Sequence, residues 1–180
     1  MSIEIWQADP ARSEIAFKLR HLVLATIGGV ARGWEATLRI DRDEPARSTI
    51  DVAIDAASLD TGDPQRDGHI RSSEFLNVGA HPRIRFNSTA VVPEGNNRYI
   101  VRGLLTILGI TREVVLEVED LDRTAAVDGV RRAIFRARTT FDRQTFGLRW
   151  NQDLDEGGVV VGDEVQVSIK LDAVLLTTSP

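Results

Sequence analysis

The sequence contains no cysteine. No disulfide can brace the fold, and thiolate metal centres are excluded. Histidine is scarce as well: His21, His69 and His81 are scattered and form no HxxxH or HxH pair, so no metal is expected. Basic charge is not in excess. Against 27 Asp and Glu stand 22 Lys and Arg, a formal net charge of -5, and the resulting field repels polyanions, which argues against nucleic acid as a partner. Long apolar runs are missing too, the longest being short pieces such as LLTILGI. A membrane-spanning helix needs roughly 20 such residues, so stable membrane insertion is not expected. The opening MSIEIWQADP lacks the basic region and apolar run of a secretory signal, which makes the expected location cytoplasmic, or periplasmic if the N-terminus is truncated. No G-x-G-x-x-G leads into a helix; the pairs Gly28-Gly29 and Gly157-Gly158 are read as loop or bulge signals, and no nucleotide cofactor is implied. There is no internal repeat, low-complexity tract or linker.

What remains is 180 residues with 42% hydrophobic content, enough for a single domain over residues 1–180 with a sizeable core. The dominant periodicity is two, not 3.6. In EIAFKLRHL (14–22), Ile15, Phe17, Leu19 and His21 share one face while Lys18 and Arg20 take the other. GWEATLRID places Trp34, Ala36, Leu38 and Ile40 opposite Glu35, Thr37, Arg39 and Asp41. The same alternation returns in TIDVAID, RIRFNSTAV, RYIVRGLLTI, REVVLEVE, RRAIFRARTTF and EVQVSIKLDAVLL, for about eight strands in all. Turn residues separate several of them, as EGNN at 94–97, LGIT at 108–111, VDG at 127–129 and EGG at 156–158. Short connections and the lack of helical runs favour an antiparallel meander, and closure into a barrel removes its exposed edges.

The stretch RDGHIRSSEF (66–75) crowds titratable and nucleophilic groups together. Asp63 followed by Pro64 reads as a helix N-cap with proline at the first helical position, so a short helix over Pro64 to Ser73, or 64–75 at its widest, is expected. So short a helix must dock, with Ile70, Phe75 and Leu76 as anchors, across one end of the barrel. Arg66, Asp67 and Arg71 then tie it to the rim, and the serines satisfy backbone ends. A hydrolytic triad of Asp67, His69 and a serine is disfavoured, because residues two apart on a helix point in different directions. Asp142, Arg143 and Gln144 are read as decoration of the mouth.

A barrel of about eight strands is either filled by side chains or able to hold one small ligand. Small residues on the inward face, Ala36, Gly103, Ala133 and Ala137, leave room for a slim apolar ligand or else meet Phe and Trp across a solid core. The motif order resembles the YceI family of lipocalin-like polyisoprenoid-binding proteins across essentially the whole chain. The matching pieces are DP-x-RS at 9–13, KLRHL at 18–22, AASLDTGDPQRDGHIRSSEFLNV at 56–78, HPRIRFNST at 81–89, RGLLTILGITREVVLEV at 102–118 and FDRQTFGL at 141–148. The resemblance implies an extended eight-stranded antiparallel barrel whose apolar tunnel carries a long isoprenoid, either a quinone side chain or a polyprenyl lipid, with no catalytic role.

The candidate tunnel lining follows from alternation. From the first half of the chain come Phe17, Leu19, His21, Trp34, Ala36, Leu38 and Ile54, with Ile70 and Phe75 from the helix. From the second half come Phe86, Leu105, Phe135, Ala137, Phe146, Trp150, Val167 and Ile169. His21 is either a contact for a polar head or a core histidine bonded to neighbouring backbone or carboxylate. Trp6, Trp34 and Trp150 suit a core wall or a membrane-interface anchor. Two rival readings remain: an enzyme acting on a hydrophobic small molecule with His21 or His69 as acid or base, and a stress-protective protein with a filled barrel. A homodimer is left open.

Overall fold

The computed structural model describes residues 2–21, 25–123, 126–151 and 161–179, apart from the side chains of Arg20 and His21. The strands are β1 (Ile3–Ala8), β2 (Glu14–His21), β3 (Ala25–Ala31), β4 (Trp34–Asp41), β5 (Thr49–Asp55) and β6 (Leu59–Asp60), then β7 (Arg83–Gly95), β8 (Arg98–Ile107), β9 (Ile110–Asp122), β10 (Ala126–Val127), β11 (Val130–Asp142) and β12 (Glu164–Ser179). Among the described residues there is one α-helix, α1 (Pro64–Arg71). Strands β11, β9, β8, β7, β5, β4, β1 and β12 pair in that order, all antiparallel, and β12 pairs back to β11. This is the closed eight-stranded barrel expected from the alternation. No helix among the described residues is long and apolar enough to cross a membrane.

Two-residue hairpins join much of the meander. Asn96 and Asn97, Leu108 and Gly109, and Asp128 and Gly129 all have positive φ, the geometry whose twist matches the strands it connects. Leu108 is the unusual member, a side chain with φ of 54° that packs partly buried against the core.

The ring contains β1 where the alternation alone placed β2. In IEIWQA the buried positions are Glu4, Trp6 and Ala8, so a carboxylate stands on the inward face and the isoleucines stand on the other. Glu4 is accommodated by Arg42 at 2.9 Å and by the Trp6 indole N–H at 3.1 Å. Strand β2 follows β1 along the same edge of β12, after a one-turn 3-10 helix at Pro10–Arg12. The DP-x-RS stretch is the joint between them. Asp9 N–H and the Ser13 hydroxyl both donate to the Asp172 carbonyl, Asp172 N–H donates to Ser13 Oγ, and Arg12 and Arg132 both hold the Asp172 carboxylate. Beyond this joint, β2, β3 and β6 form a branch that raises one wall of the barrel.

Gly28 and Gly29 are neither a loop nor a bulge; they lie in mid-strand in β3, opposite Lys18 and Phe17. A Cβ on Gly29 would lie 2.5 Å from the Phe17 ring, so the absence of a side chain makes space for that ring. Gly157-Gly158 and the EGG turn fall outside the described residues.

Candidate ligand cavity

The helix begins as its sequence dictates. Asp63 accepts from the backbone N–H groups of Gln65 and Arg66, with Pro64 behind it. Asp67 is buried and accepts from Thr61 N–H and, at 2.6 Å, from the Thr61 hydroxyl, while Arg66 donates to the same hydroxyl and to the Thr61 carbonyl. Arg71 reaches the Ala57 carbonyl. These bonds fasten α1 over one end of the barrel, with Ile70, Phe75 and Leu76 facing the interior.

Beneath the helix lies a cavity of about 630 Å³. Its walls are overwhelmingly apolar; the polar lining residues are Thr61, Asp63, Gln65, Arg66 and His69 at the α1 end, with Thr139 and the buried Arg143. Of the residues expected at the lining, Phe17, Leu19, Ile54, Ile70, Phe75, Phe86, Leu105, Trp150, Val167 and Ile169 are brought together here. His69 stands between Trp150, whose ring centroid is 4.4 Å away, and Glu74, 2.8 Å from its Nε2.

Six expected positions lie elsewhere. Leu38 and Phe135 line a second cavity of about 410 Å³ at the opposite end of the barrel. Trp34, Ala36 and Ala137 line neither cavity and are buried in the core between them, at 8%, 3% and 8% exposure. Their alternation was legible, yet alternation says only that a side chain points inward and not at which depth the barrel is hollow. Phe146 is fully buried behind Phe141, with the two rings 5.3 Å apart, where β11 turns away from β9. The side chain of His21 lies outside the described residues.

The structure adds Ala31, Ile27 and Arg143 to the lining. Ala31 and Ile27 belong to β3, concealed by the glycine pair. Arg143 does not decorate the mouth: it is 1% exposed and donates to the carbonyls of Leu148, Trp150, Val161 and Gly162 and to Asp163. One guanidinium thereby ties together two stretches of chain, 148–150 and 161–163. Burial holds its pKa below the usual arginine value while Asp163 and Asp142 oppose the shift, and the guanidinium stays charged. No sequence signal distinguishes such an arginine from an exposed one.

The crowded RDGHIRSSEF stretch assembles no relay. Asp67 is engaged by Thr61, His69 faces Glu74, and the Ser72 hydroxyl donates to the backbone carbonyl of His69 at 2.7 Å. That last bond closes the C-terminus of α1, as expected of a serine there.

Residues 6–173 match the YceI-like domain family. The chain belongs to this family. A UPF0312 protein of Pectobacterium atrosepticum is 34% identical over 134 residues, 74% of this chain and 69% of that protein. Among solved structures, BcnA of Burkholderia cenocepacia superposes with a TM-score of 0.80 at 25% identity, covering 92% of this chain and 98% of BcnA. A polyisoprenoid binding domain from Saccharophagus degradans, implicated in plant cell wall breakdown, shares the fold with a TM-score of 0.66 at 14% identity, covering 94% and 98% of the two chains. The DP-x-RS joint, the capped α1 and the Arg143 clamp are thus the structural content of three motifs of this YceI-like chain.

Proposed function

We propose that the protein binds and carries or stores an isoprenoid lipid, a quinone side chain or a polyprenyl lipid, in the cavity under α1, without acting on it chemically. The observation that supports this reading most is the cavity itself: a space of about 630 Å³ in a closed barrel, apolar over most of its walls, with its few polar groups gathered mainly around α1. Each methylene moved from water into such a space contributes roughly 0.8 kcal/mol, so a few isoprene units supply the driving force without a charged contact. The polyisoprenoid-binding relative with the same fold points to the same class of ligand. The experiment is native mass spectrometry, with organic extraction of protein purified from its own host. An isoprenoid travelling stoichiometrically with the barrel supports the reading. A barrel that is empty from its own host, and that takes up no added prenol, overturns it.

A further inference from the structure

The two interior cavities share no lining residue, although the same strands pass from one to the other. On β5, Val52 faces the cavity under α1 and Ile50 faces the opposite one. On β9, Leu116 and Val118 are divided in the same way. The layer between is solid. Trp6 and Trp34 fill it from one side, together with Ala36 and Leu171. On the other side a Cβ on Gly103 would come within 2.4 Å of the Phe86 ring, so the small residues there are already matched by large ones.

The depth above this layer follows from the strands. Lining residues run from Val165 to Ile169 on β12 and from Ile15 to Leu19 on β2, four steps in each case, or about 13 Å at a rise near 3.3 Å per residue. An isoprene unit contributes four chain bonds of about 1.5 Å each, laid in zigzag, hence about 5 Å. The space accepts about three units.

Resting on the carrier reading above, we propose that the layer centred on Trp34 and Leu116 is a ruler that sets the ligand's length, making this a site for a short-tailed isoprenoid. About three units lie inside, and the polar head sits at the rim beside Thr61, Arg66 and His69. Apolar tail beyond that length finds no dry space, because the buried side chains of Trp34, Ala36 and Leu171 stand between this cavity and the second one. A tunnel open from end to end would instead reward every added unit.

The test measures the affinity of the intact protein for prenols of two to nine isoprene units, dispersed in the same detergent. Affinity should rise at least tenfold with each unit up to about three, and then change less than threefold. Leu116→Ala and Val52→Ala, each followed by thermal melting, thin the floor on opposite walls, and either one should move the break to a longer prenol. Affinity that climbs without a break to nine units in the parent overturns the ruler while leaving the carrier reading intact. A break that stays in place in both variants, with both still folded, also overturns it. If no prenol of any length binds, the carrier reading itself fails, and the ruler with it.

Discussion

The Phe17 ring lies directly over Gly29 on the neighbouring strand, so close that a Cβ on Gly29 would stand 2.5 Å from Phe17 Cζ and 2.8 Å from the Asp60 carbonyl oxygen. The ring is flexible and the carbonyl is not. Gly29→Ala should therefore destabilise the barrel by about 1–3 kcal/mol, as overpacking does. Combining it with Phe17→Leu should recover part of that loss but not the share owed to the Asp60 carbonyl. Chemical denaturation of the two single variants and the double variant measures the coupling.

Bulk added at Ala31 should act differently from bulk added at Ala36 or Ala137. Ala31 borders the cavity, so in Ala31→Phe the ring extends into vacant space, with little loss of stability and a reduced capacity for apolar ligand. In Ala36→Phe and Ala137→Phe the ring meets the solid layer, and a loss of about 1–3 kcal/mol is expected. Melting curves beside titration with an apolar fluorophore separate the two behaviours. Equal losses at all three positions would contradict the placement of the cavity.

Removing the Arg143 guanidinium strands several carbonyls that now have a donor. Arg143→Met should lower stability by about 3 kcal/mol or more, since each buried acceptor left unpaired is worth about 1–3 kcal/mol and the effects do not add fully. Because Trp150 is held through the same group, its fluorescence should report a wetter environment. Arg143→Lys should rescue only part, as one ammonium cannot span both stretches.

Asp120 gives the fold a pH signature. Burial pushes its carboxyl above the ordinary 3.8, against the pull of Arg123 and Arg42, and its Oδ1 is buried with no hydrogen-bond partner among the described residues. A carboxyl whose pKa is higher in the folded state stabilises the fold fully below its unfolded value, and this contribution is lost as pH rises through the folded value. The difference in stability between Asp120→Asn and the parent should therefore grow in favour of the variant as pH rises from about 4 towards neutrality. Denaturation at several pH values reads this directly. A difference independent of pH would show that Asp120 titrates alike in both states.

Much of the barrel was legible because alternation with period two is a direct image of a sheet that is dry on one side. The helix was legible because Asp63-Pro64 can do little else. Strand β1 was not, since Glu4 points inward and its charge is matched by Arg42 and Arg131, one 38 and the other 127 residues further along the chain. Strand β3 was hidden by Gly28 and Gly29, whose reason lies in a ring on another strand. The cavity was half legible: inward facing could be read at Ala36 and Ala137 as easily as at Phe17, but the height at which tryptophans close the interior depends on how strands are staggered, which no single strand records.

The pairing of Ile3 with Ser179 joins the first strand of the ring to the last, and β12 supplies one partner edge to each of β1, β2 and β11. On a ribosome, the order of synthesis then becomes decisive. Until β12 has emerged, the other strands of the ring can assemble as a curved open sheet, with β1 on β4 and β11 on β9, but one edge each of β1, β2 and β11 has no partner and the apolar face stays wet. An apolar ligand of the proposed kind cannot be enclosed before β12, which closes the ring, has been made. The same interval leaves strand edges exposed, which marks the nascent chain as a client for holding factors and as the stage most open to aggregation.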